Sequence, residues 1–139
     1  MRNLFLSVAA LSVLFYSSCA EKEAKRIDMK QVAQFEDSIP HIIPGARSIH
    51  TLQKDDATEF KLIVGSPSFY TASDDNKQSA AIRTGLMVLH VLGPDNSIKN
   101  AALVLTKKDN DNQENRIPED GISLDMKIDS LKKVLYPAI

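Results

Sequence analysis

The stretch from Thr58 to Lys107 constrains the fold more than any other part of the chain, because it sets a strand pattern, a helix pattern and a second strand pattern in succession. In "TEFKLIVG", Phe60, Leu62 and Val64 alternate with Lys61 and Ile63, the period of two that puts one set of side chains on one face of a sheet. From 75 to 92, Ala81, Ile82, Leu86, Leu89 and Val91 recur at helical spacing. Met87, Val88 and Leu92 fill in until the last two turns are apolar nearly all round. A helix of that kind is buried on more than one side. Gly93 and Pro94 end it, and "SIKNAALVLTKK" follows with a continuous apolar centre that suits an interior strand over about 98–106.

The flanking segments extend this plan. Asp28 with Gln31 three residues on reads as a variant capping box, and Val32, Phe35 and Ile39 fall at i, i+3 and i+7, so the pattern predicts a helix over 29–38 that Pro40 stops. "IPHIIPGARS" then reads as an extended linker. "SIHTLQ" and "TEFKLIVG" on either side of the turn-like "KDDA" predict a β-hairpin with strands near 47–53 and 58–65. "GSPSFYTAS" reads as a loop that ends at Ser73 or Asp74 as a helix N-cap. "ISLDMKI" alternates as a strand should, yet Leu124, Ile128, Leu131 and Leu135 also share one helical face. The helical reading is preferred, with a start between Ser123 and Asp129 and an end before Pro137. The expected fold is therefore α+β, an α/β two-layer arrangement in the order α-β-β-α-β-α. A small sheet of three to four strands is covered by about three helices in a single domain over 28–139.

The N-terminus carries a different message. Arg2 precedes "LFLSVAALSVLFY", an uncharged run with the length of a signal-peptide h-region and short of the roughly 20 residues that span a bilayer. Small residues Ser17 and Ser18 follow, and then Cys19, the only cysteine in the chain. Here the sequence resembles bacterial lipoprotein precursors, with Tyr16 where Leu is usual and Ser18 where Gly or Ala is usual. The resemblance implies cleavage between Ser18 and Cys19, and a diacylglyceryl group with an N-acyl chain on Cys19. Residues 1–18 would then be the signal peptide, and 19–27 the lipidated cysteine and a charged tether. The other reading is an ordinary secretory signal followed by a free thiol, which would be a reactive liability in an oxidising compartment. Ala20 is not the Asp that retains enteric lipoproteins at the inner membrane, so the resemblance points to the cell envelope at the outer membrane. The charges of "AEKEAKR" resemble signals that carry such proteins to the surface.

Charge and composition narrow the function classes. With 17 basic against 18 acidic residues the chain lacks the surplus expected of a nucleic-acid binder. Beyond the signal its aromatics are Phe35, Phe60, Phe69, Tyr70 and Tyr136, too few for an aromatic carbohydrate platform. The turn between the second strand and the long helix is the candidate ligand loop, through Ser66, Ser68, Tyr70 and Ser73. It has neither the glycines nor the lysine of a P-loop, and "GSPS" is not G-x-S-x-G. His41, His50 and His90 lie far apart, without metal-ligand spacing. Asp109, Asp111 and Asp120 are spaced somewhat like a calcium loop, but Glu114 stands where that loop needs glycine. No cofactor and no metal is expected. The leading expectation is a lipid-anchored, non-enzymatic module that binds or scaffolds another envelope component. The alternatives are a small hydrolase using the 65–75 loop and a histidine, and a small-molecule carrier with an enclosed apolar pocket.

Overall fold

The computed structural model describes residues 25–108 and 117–137. Helix α1 spans Met29–Ile42, strands β1 and β2 span Ser48–Gln53 and Glu59–Gly65, and a single helical turn, α2, spans Pro67–Tyr70. Helix α3 follows at Asp74–Leu92, then strands β3 at Asn100–Thr106 and β4 at Ile122–Asp125, and helix α4 at Ile128–Leu135. The four strands form one mixed sheet in the order β1-β2-β3-β4. The outer pairs are antiparallel, and β2 and β3 run parallel. A parallel neighbour cannot be reached by a tight turn, so α2 and α3 form the crossover between them.

The sheet has two unlike faces. Phe60, Leu62 and Val64 from β2 and Ala101, Leu103 and Leu105 from β3 share one core cluster with Phe35 and Ile39 of α1, Val88 and Leu89 of α3, and Ile128 of α4. The Phe35 and Phe60 rings meet at 5.7 Å, tilted by 44°. On the other face Lys61, Ile63, Ala102 and Val104 alternate with them, and Asp125 and Ser123 stand opposite Ala102 and Val104. Val104 is fully buried there because residues 117–121 cross it: a Cβ built on Gly121 would lie 2.9 Å from Val104 Cγ1 and 3.2 Å from Ile117 Cγ2.

Local chemistry accounts for most element ends. Both bonds of the capping box form at α1: Gln31 N–H donates to Asp28 Oδ1 at 2.8 Å, and Asp28 N–H to Gln31 Oε1 at 3.0 Å. The β1–β2 turn holds Ala57 at a positive φ of 59°. Beside it, Asp56 accepts the Thr58 hydroxyl at 2.7 Å and the Thr58 N–H at 3.0 Å, bonds that hold its carboxyl below the ordinary value. Burial pushes the Lys132 amine below its usual range, and its Nζ donates to the Ile98 carbonyl, which fastens α4 to the loop before β3.

Several expectations are corrected. Pro40 does not stop α1, which runs on to Ile42 with Pro40 inside it. Proline removes one donor and disfavours helix at the residue before it. Ile39 and Ile43 are nevertheless fully buried, and Ile43 N–H donates to Ile39 O at 2.8 Å, so packing overrides the local preference. The segment after β2 is not all loop, because Ser66 as N-cap with Pro67 in the first turn starts α2. "ISLDMKI" is divided between both periodicities: 122–125 pair with β3 as a strand, and α4 starts at Ile128. Lys127 at a φ of 57° makes the break between them. Ile27, the last residue before the α1 cap, packs on the core, and its N–H donates to Gln53 Oε1 at 3.0 Å.

Candidate functional site

The 66–73 loop is built mainly to hold itself. Ser66 is fully buried; its Oγ donates to the Pro44 carbonyl at 3.1 Å and accepts Phe69 N–H at 3.4 Å. Tyr70 OH donates to the Asp120 carbonyl at 2.8 Å, which ties α2 to the 117–121 crossing, and Lys77 Nζ lies 5.8 Å from its ring centre. Ser73 caps α3 by accepting Asn76 N–H at 3.2 Å. Ser68 is exposed on the rim, close to Gly45, where a built Cβ would lie 2.7 Å from its Oγ. The histidines stay apart, with His41 in the last turn of α1, His50 in β1 and His90 in the last turn of α3. Among the described residues no group of three or more His, Cys, Asp or Glu is placed to hold a metal ion, and no helix is long and apolar enough to cross a membrane. The calcium-like spacing falls largely on 109–116, outside the described residues.

A structural role for Ser66 predicts a measurable cost. In Ser66→Ala the Pro44 carbonyl loses the hydroxyl donor and α2 its cap, so a loss of about 0.5–2 kcal/mol is expected from the lost cap and bond. Ser68→Ala should stay within about 0.5 kcal/mol of wild type, as surface changes do. Urea unfolding of both variants checks this, and equal midpoints would contradict it.

Two clefts open instead at the opposite end of the sheet, where β2 and β3 begin. One cleft of about 410 Å³ is lined by Arg26, Thr51, Leu52, Gln53, Lys54, Glu59 and Lys61. A second of about 460 Å³ is lined by residues of β2, β3 and β4, including Lys61, Ala102, Ser123 and Asp125. Glu59 and Lys61 belong to both, so the two clefts adjoin across β2. Register assembles this site: Leu52 pairs with Lys61, Lys61 with Ala102, and Ala102 with Asp125. Four strands thus contribute one row, with a half-buried lysine beside the small Ala102. Gln53 turns Oε1 to Ile27 N–H, which fixes its amide orientation and leaves Nε2 buried without a hydrogen-bond partner.

Most of the charges that line the clefts are paired. Glu59 lies 3.8 Å from Lys54 Nζ, Arg26 lies 3.9 Å from Asp55, and Asp125 lies 3.3 Å from Lys127 Nζ. Asp125 also accepts Lys127 N–H at 2.8 Å. Among the described residues Lys61 has no ion-pair partner. Comparison with protein-family models, with curated proteins and with solved structures finds no match for this chain.

Proposed function

We propose that the chain is a lipid-anchored envelope protein, held at the outer membrane through Cys19, whose α+β domain binds or scaffolds another envelope component and performs no reaction of its own. The observation that carries this reading is the pair of adjoining clefts at the start of β2 and β3, beside the point where the tether reaches the domain at Arg26. Clefts of this size lie within the range of ligand sites. The hydroxyls of Ser66, Tyr70 and Ser73 support the same reading from the other side, since each is engaged within the fold. Residues 19–26 span at most about 30 Å when extended, so the anchor keeps this end of the domain near the lipid.

A photo-crosslinking residue tests the site in intact envelopes. Placed at Leu52, in the first cleft, it should give one discrete adduct; placed at Ser79, exposed on α3, it should give none. Equal labelling from both positions, or from neither, would remove the cleft as the binding surface.

A further inference from the structure

We propose that the adjoining clefts form a binding site for an oxyanion, a carboxylate or phosphate group, seated against Lys61. The inference deepens the binding role given above, naming the ligand chemistry of the same site. It is independent of the anchor.

Each carboxylate that lines the clefts already faces another cation: Glu59 faces Lys54, and Asp125 faces Lys127. Arg26 faces Asp55. Lys61 is left as the cleft charge without a counter-ion among the described residues, at one of the two positions shared by both clefts. It is half-buried, and its neighbours in the row are the apolar Leu52 and Ala102. An ammonium in such a setting gains from an anionic partner more than one in open solvent, because water screens the interaction less. Ala102 presents only a methyl group, which leaves room above the sheet for a ligand lying across the strands toward Ser123, whose hydroxyl can donate or accept. Lysine binds phosphate and carboxylate as a point charge without demanding one planar geometry. The geometry therefore selects charge and size before it selects shape.

Two sources present this chemistry: a soluble anion, and an anionic lipid headgroup reached from the membrane side. The test separates them. The mature anchored chain, held in neutral detergent micelles, is titrated with inorganic phosphate, with succinate, and with micelles doped with phosphatidylglycerol or with phosphatidylcholine, while amide chemical shifts are followed. The expected result is a saturable shift at Leu52, Lys61 and Ala102, with affinity at least tenfold weaker in Lys61→Gln and largely restored in Lys61→Arg. Lys107→Gln removes the same charge just past the far end of β3, about 17 Å away at strand rise, and should bind as wild type. A response to phosphate or succinate identifies a soluble anion, and a response confined to phosphatidylglycerol identifies a headgroup; either supports the inference. No saturable shift with any probe, or equal weakening in Lys61→Gln and Lys107→Gln, overturns it. A discrete Leu52 adduct combined with a failed titration would leave the binding role standing and remove only the oxyanion.

Discussion

Fatty acid supplied to growing cells should be incorporated into the wild-type protein and absent from Cys19→Ala, an all-or-none difference visible by mass. Each buried methylene contributes about 0.8 kcal/mol to membrane affinity, and a single chain gives only marginal, reversible binding. Two or three chains on one residue make attachment effectively complete. A physical complication shapes the experiment: if cleavage at Ser18 requires the modified cysteine, Cys19→Ala retains its apolar leader, and that segment would itself hold the chain at the membrane. The partner variant therefore carries an ordinary cleavable secretory leader in place of residues 1–18 together with Cys19→Ala. In detergent-phase partition the wild type should go to the detergent phase and this variant to the aqueous phase. An unchanged partition, or a Cys19 thiol in the wild type that reacts with maleimide, would sink the anchor and favour the secreted reading.

The proposed anchor rests on residues adjacent in the chain, and the same locality explains which parts of the domain were legible. Asp28 and Gln31, or Ser73 ahead of Asp74, are caps whose partners lie within three residues. The strand at 59–65 needed only its own alternation, that at 100–106 its continuous apolar centre, and that at 48–53 the turn-like "KDDA" beside it. Pro40 misleads because its local rule is sound and the burial of Ile39 and Ile43 outweighs it. The break at Lys127 is hidden for a different reason. A left-handed residue is ordinarily announced by glycine or asparagine, and here a lysine adopts it, with its N–H held by Asp125. The clefts could not be read at all. Lys61 is visible in sequence only as the polar member of an alternating strand, and its position between Leu52 and Ala102 exists only once the register is set. Ser66 shows the converse, since serine before proline after a strand can be read as a reactive loop when it is a buried cap.

Gly85 should be the least replaceable residue of α3, although nothing in the helical pattern marks it. Glycine inside a helix costs about 1 kcal/mol relative to alanine, so on propensity alone Gly85→Ala should stabilise the protein. The packing predicts the opposite. A Cβ at 85 would lie 2.7 Å from the Met126 carbonyl oxygen, 2.9 Å from Leu131 Cδ1 and 3.1 Å from Met126 Cβ. Leu131 can turn aside, but Met126 cannot retreat easily: its N–H donates to Ala101 O at 3.0 Å, which ties the chain after β4 to β3. Helix α4 is held down as well, by Lys132 Nζ on the Ile98 carbonyl and by Tyr136 OH on Leu89 O at 3.2 Å. With both sides fixed, overpacking of about 1–3 kcal/mol should outweigh the propensity gain, giving a net loss for Gly85→Ala. Gly85→Val adds bulk and a stiff χ1, and a loss of about 3 kcal/mol or more is expected, a large share of the 5–15 kcal/mol typical of a domain. Gly93 provides the contrast, with a φ of 80° and nothing within 4 Å of a built Cβ, so Gly93→Ala suffers backbone strain without a clash. At φ 80° and ψ 178° it occupies a region kept almost entirely to glycine, and the cost should be about 1–3 kcal/mol. Urea midpoints at constant m-value rank the variants, the expected order being wild type, then Gly93→Ala, then Gly85→Val. If Gly85→Ala proves as stable as wild type, then α3 and the β4–α4 connection do not approach as closely as this packing requires.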